Sequence, residues 1–271
     1  MPRDSLSRPL VHCGACDSRG AEGARTSRAV LFDLDDTLYP YRRFVVSGFA
    51  AVATELSDRY GLDARAAFRM LCRASRGPAR GSEIQVVLAA SQLPPTLAPA
   101  LIHRLNQHTP RLRLPRASAA VLADLRRSGW SIGIITNGTP DIQRRKIDQL
   151  GLMHMVDAAV CAAEFGSGCG KPESAPFIEL SRQLQVAPER TVVVGDSEEC
   201  DVAGAIATGM HAILCTTWRR HGGSETRAKC IISRFSLIPE AAYRLVTAKA
   251  GLPRRSGERG ERLAKAGRHV A

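Results

Sequence analysis

A short apolar run that breaks off in carboxylates restricts this fold more than any other feature of the chain. Residues 29–32 read Ala-Val-Leu-Phe, suited to a strand buried on both faces, and Asp33, Leu34, Asp35, Asp36 and Thr37 follow at once. Like charges packed this closely stay ionised only where a cation, a lysine or backbone N–H groups compensate them. Two readings follow: a divalent metal at the strand end, or a solvated turn in which an aspartate caps a helix. The design recurs. Residues 191–194 run into Gly195, Asp196, Ser197 and Asp201, and the apolar residues 131–136 end in Thr136, Asn137 and Gly138. In an open α/β sheet, ligands bind outside the carboxyl ends of the strands, so these loops are expected to share one edge.

Strand and helix patterns alternate through the second half. Strands are expected over 131–136, 156–161, 191–194, 211–216 and 229–232, and helices over 117–128, 141–150, 174–184 and 241–248. Strand, crossover helix, strand, repeated, gives an α/β fold: a Rossmann-like parallel sheet with helices on both faces. The rhythm is interrupted between 40 and 114. There, apolar residues take helical spacing over 44–56, 64–74 and 84–90, while Pro78, Pro94, Pro95, Pro99 and Pro110 divide the region into short helices. The expected organisation is an α/β core over 29–39 and 115–250, an inserted α-helical cap over 40–114, and flexible tails at 1–28 and 251–271. Residues 75–85, with Arg76 and Arg80, read equally as a substrate-facing turn or a solvated loop.

Charge says less about partners than its total suggests. The formal net charge is +12, but half of the excess lies in the two end segments, +2 over residues 1–28 and +4 over 251–271. No aromatic residues interleave with the tail arginines, which argues against a nucleic-acid partner. Of eight cysteines, only Cys13 and Cys16 have ligand spacing, and no second pair completes a zinc site, so the pair reads as incidental. Cys161, Cys215 and Cys230 fall in apolar runs and read as small core residues, which favours a reducing compartment. No stretch has the length of a membrane span or the apolar segment of a secretory signal, so a cytoplasmic location is expected.

Four motifs in order resemble those of the haloacid dehalogenase-like (HAD) hydrolase superfamily: Asp33-x-Asp35-x-Thr37, then Thr136-Asn137-Gly138, then Lys171-Pro172, then Gly195-Asp196 through Asp201. The resemblance covers residues 29–248. It implies Asp33 as nucleophile, Asp35 as acid/base, Thr136 and Lys171 as phosphate binders, and Mg2+ held by Asp33, Asp196 and the main-chain carbonyl of Asp35. It also implies a cap that closes over the substrate. Asp201 is expected to orient Lys171 or the metal's waters, and Asn137 and Gly138 to lend backbone N–H groups to the phosphate. Cys200 stands where relatives often have Asn.

The residue chemistry agrees with these roles. Carboxylates form covalent intermediates, and hard oxygen ligands suit Mg2+. A hydroxyl and a Gly ahead of a helix make an anion cradle, although a plain Gly turn capped by Thr139 gives the same pattern. A lysine ahead of a helix is usually a solvated surface residue, but the position of Lys171 between two loops read as phosphate sites favours a role in the site. The expected activity is a Mg2+-dependent phosphatase acting on a small phosphorylated metabolite, a nucleotide monophosphate or sugar phosphate, through an aspartyl phosphate. A phosphomutase shares the motifs, and a phosphoacceptor domain or a non-catalytic binding relative uses similar residues.

Overall fold

The computed structural model describes residues 28–166, 170–219 and 225–248. The expectations for residues 1–27 and 251–271, including those for Cys13 and Cys16, lie outside the described residues. Six strands form one parallel sheet: β1 (Arg28–Phe32), β2 (Trp130–Thr136), β3 (Ala158–Cys161), β4 (Thr191–Gly195), β5 (His211–Cys215) and β6 (Cys230–Ile232). Their order across the sheet is β3-β2-β1-β4-β5-β6. The chain moves outward from β1 through β2 to β3, then returns to the other side of β1 with β4. The switch in direction therefore falls at the carboxyl end of β1, where such sheets open a crevice.

Side-chain alternation builds a core on each face of the sheet. Val30, Phe32, Ile132, Ile134, Val192 and Val194 enter one cluster, while Leu31, Val193 and Leu214 enter another on the opposite side. Helices α5 (Arg116–Arg127) and α9 (Ile238–Thr247) contribute Leu122, Leu125 and Ala242 to the first. Phe177 and Leu180 of α7 (Ser174–Gln183) and Ala205 of α8 (Ala203–Ala207) contribute to the second. A further helix, α6 (Pro140–Gln149), follows β2.

The insertion folds on a core of its own. Helices α1 (Arg42–Tyr60), α2 (Ala64–Ala74), α3 (Glu83–Ala90) and α4 (Ala98–Gln107) pack Phe49, Val52, Leu56, Leu71, Val87, Leu88 and Leu101 together. Gly61 ends α1 in the left-handed region at φ 69°, and Asp63 caps α2 by accepting the Ala66 N–H. The fourth helix goes beyond the segments that apolar spacing marked. Pro99 sits in its first turn, where the missing N–H has no partner to lose, so a residue that reads as a breaker is a helix start. β1 begins at Arg28, one residue earlier than expected, and α9 begins three residues earlier, with Pro239 in its first turn. No described helix is long and apolar enough to cross a membrane.

Candidate active site

The carboxyl ends of β1, β2 and β4 and the approach to α7 converge on one crevice of about 540 Å³, a size that suits a small metabolite. Asp33, Asp35, Thr136, Asn137, Gly138, Lys171, Asp196 and Asp201 all line it. The sequence-marked residues are thus brought together. Arg76 and Arg80 are not among its lining residues.

Lys171 is the centre of the arrangement. Its buried ammonium donates to Asp33 Oδ1 at 2.5 Å, to Asp201 Oδ1 at 2.6 Å and to the Ile135 carbonyl at 3.2 Å, which uses all three of its donors. The Asn137 side chain grips its backbone from both sides, accepting from Lys171 N at 2.7 Å and donating to Lys171 O at 3.3 Å. This is not a solvated surface lysine. Burial works against its charge, but Asp201 and Asp33 outweigh that and hold the ammonium above the ordinary lysine range. Burial pushes the Asp33 carboxyl up to about 7, with Lys171 opposing and the Asp201 and Asp35 charges adding to the rise.

At the end of β4 the backbone must leave room for Asp201. A Cβ on Gly195 would lie 2.1 Å from Asp201 Cγ, so only glycine lets this carboxylate fold back against the strand. Asp201 Oδ1 then accepts from Lys171 and Oδ2 accepts the Ser197 N–H at 3.0 Å. Among the described residues Asp196 has one ion pair, with Arg219 at 3.3 Å; burial and Asp201 push its carboxyl up, opposed by Arg219. Carboxylate oxygens of Asp33, Asp196 and Asp201 lie within 4.8 Å of one another. Three carboxylates around one buried ammonium leave negative charge uncompensated, and a hard, all-oxygen donor set fits Mg2+. Each Asp201 oxygen already accepts from one donor, whereas Asp33 and Asp196 each have, among the described residues, an oxygen without a donor and so the larger capacity left for a cation.

At the end of β2, Thr136 is buried and Gly138 takes φ 116°. Thr139 occupies the cap position of α6 without a side-chain capping bond, so the turn reading is right about its place but not its hydrogen bond. A Cβ on Gly138 would come within 2.6 Å of Gln143 Nε2, and that amide donates to Asn137 O at 2.7 Å and to Asp35 Oδ2 at 3.4 Å.

Asp35 has two closer partners that the sequence reading passed over. Tyr39 Oη donates to Oδ1 at 2.5 Å and Lys146 Nζ to Oδ2 at 2.6 Å. Gln143 and Lys146 are the buried polar residues of α6, three apart on the face that also carries Ile147. That spacing was the available signal, but a polar i, i+3 pair on a helix ordinarily marks a solvated face. Beyond β5, Trp218 donates to the Thr37 carbonyl at 3.0 Å and Arg219 reaches the crevice, both from a segment that carries no motif.

A family model for haloacid dehalogenase-like hydrolases matches residues 27–209. Among curated proteins, the chain is 31% identical to glyceraldehyde 3-phosphate phosphatase of Methanothermobacter thermautotrophicus over 69% of this chain and 84% of that protein. It is 33% identical to phosphoserine phosphatase of Thermus thermophilus, covering 72% of this chain and 76% of the relative. Among solved structures, a 2-haloacid dehalogenase from Pseudomonas syringae superposes with a TM-score of 0.54 at 26% identity, over 80% of this chain and 99% of the other.

Proposed function

The chain belongs to the haloacid dehalogenase-like hydrolase family and is a phosphoric monoester hydrolase, and from that premise we propose that it is a Mg2+-dependent phosphatase of small phosphorylated metabolites. The observation that carries the reading is Lys171, buried between Asp33 and Asp201 at the base of the crevice. A buried lysine spanning two carboxylates balances charge where an anion has to meet an anion. In our reading, Asp33 attacks phosphorus, the bond to the ester oxygen breaks, and the Asp35 carboxyl gives its proton to the departing alkoxide. Water then attacks the aspartyl phosphate and passes a proton to Asp35. The bond from phosphorus to Asp33 breaks, and inorganic phosphate leaves. The Thr136 hydroxyl, the backbone N–H groups of Asn137 and Gly138, and Lys171, once it exchanges one of its three present acceptors for the ligand, would hold the phosphoryl oxygens. Asp33, Asp196 and the Asp35 carbonyl would hold Mg2+, which when bound supplies positive charge to those oxygens.

Residues 40–114 act in this account as the cap over the crevice. Nucleotide monophosphates and sugar phosphates are the substrate classes we favour, and the two relatives named above are phosphatases of small phosphorylated metabolites. The buried thiols Cys161 and Cys215 suit the reducing cytoplasm, where we place the protein. Because one structural neighbour is a dehalogenase, its chemistry is the second reading. Halide leaves carbon without a proton, so that reaction has no use for an acid two residues beyond the nucleophile, which this chain has in Asp35.

The test is phosphate release across a panel of metabolite phosphates, with a parallel halide-release assay on 2-haloacids. Activity should vanish with EDTA, return with Mg2+, and fail to return in Asp196→Ala. Full activity in EDTA would remove the metal role, and faster halide than phosphate release would favour the dehalogenase.

A further inference from the structure

We propose that Lys146 is a positioning residue that holds Asp35 as the base of the second half-reaction; this rests on the acid/base role proposed above. Lys146 is only 2% exposed, and Asp35 is its one hydrogen-bond partner among the described residues. The rest of its surroundings include two aromatic faces, Phe44 at 4.4 Å and Tyr41 at 4.9 Å from the ammonium to the ring centroids. A buried cation with a single carboxylate partner fixes where that carboxylate sits. Tyr39 grips the other oxygen, and Gln143 adds a longer contact to the first. Every one of these partners donates. Donors on both oxygens hold the carboxylate in place, the form that takes a proton from water in the second half-reaction. Oδ1, with Tyr39 as its one donor among the described residues, keeps a lone pair for that purpose.

The same lysine ties Asp35 to the insertion. Tyr41 and Phe44 stand at the start of α1, where the chain crosses from the sheet into the helical unit. One residue before Lys146 on α6, Arg145 donates to the Asn106 carbonyl in the last turn of α4. Asp35 is therefore gripped by a residue that touches the entry to the helical unit, next to one that touches its exit.

The step at issue forms a bond from water oxygen to phosphorus, breaks the bond from phosphorus to Asp33, and moves a water proton to Asp35. Misplacing that base should slow dephosphorylation more than phosphorylation. The experiment uses p-nitrophenyl phosphate carrying radioactive phosphorus, with acid quench at steady state. Lys146→Met should lower kcat by roughly 10- to 100-fold. Protein-bound label should rise several-fold over wild type, and aryl and alkyl esters should turn over at the same maximal rate. A fall in kcat without extra label, or no fall, would overturn the proposal alone. Wild-type turnover in Asp35→Asn would overturn the phosphatase reading beneath it and the proposal with it. If Lys146→Met does not fold, Tyr39→Phe removes the other donor from a ring of the same shape and carries the same test.

Discussion

Replacing Lys171 by Met keeps the length of the side chain and removes its charge. Three acceptors lose their donor: Asp33 Oδ1, Asp201 Oδ1 and the Ile135 carbonyl. Asp201 keeps the Ser197 N–H, but Asp33 is left buried beside other carboxylates with no cation. Stranding one side of a buried ion pair costs about 3–5 kcal/mol, and for a domain of this size each kcal/mol lowers Tm by roughly 2–4 °C, so a fall of about 6–20 °C is expected. The loss should depend on pH in a definite direction. Asp33 is already pushed up to about 7 with the ammonium in place, and without it should rise further. Between the unfolded carboxylate range near about 4 and that raised value, the folded variant binds more protons than the unfolded chain, so its stability falls as pH rises through this window. The Tm deficit of Lys171→Met against wild type, measured calorimetrically in EDTA, should therefore be smaller at about pH 5 than at about pH 8. A deficit under about 1 kcal/mol, or one equal at both pH values, would mean that the lysine and the carboxylates do not share one buried network.

Asp35→Asn should raise the barrier in kcat/KM, which covers only the steps up to departure of the leaving group, by about 3–5 kcal/mol on an alkyl phosphate and less on an aryl phosphate, whose phenolate departs with less help; equal losses in kcat/KM on the two esters would count against Asp35 as the acid. Gly195→Ala puts a methyl 2.1 Å from Asp201 Cγ and should destabilise by about 1–3 kcal/mol while lowering turnover, since Asp201 must move off Lys171; unchanged thermal unfolding would show that the loop has room. Removing residues 1–27 and 251–271, whose composition is loose and polar, should leave kcat/KM on a small substrate within a few-fold, under about 1 kcal/mol; collapse of turnover would show that an end segment completes the site.

What could be read from the sequence was the chemistry that sits at strand ends. Asp33, Thr136 and Asp196 each follow an apolar run, and a parallel sheet forces such ends to one edge, so local pattern alone places them together. The sheet itself was legible for the same reason. The role of Lys171 was read from its place between two strand-end loops and from the motif resemblance, because nothing local tells a lysine ahead of a helix to turn inward. Lys146 and Gln143 were missed for the converse reason. Their burial is tertiary, created by Asp35 and by the rings of Tyr41 and Phe44, which lie more than 100 positions away in sequence. Helix α4 escaped because Pro99 was read as punctuation, and Trp218 and Arg219 because a loop residue that bonds Thr37 or Asp196 leaves no periodic trace.

The central claim is that Asp33 carries the phosphoryl group between two half-reactions. Acid quench of the Mg2+-supplemented protein during turnover of p-nitrophenyl phosphate, followed by mass spectrometry of the peptide spanning residues 29–39, tests it directly. The account predicts a phosphoryl group on Asp33 that is lost on treatment with hydroxylamine and absent from Asp33→Asn. Full turnover with no phosphoryl group on that peptide in wild type or in Lys146→Met, or the same modification surviving in Asp33→Asn, would contradict it.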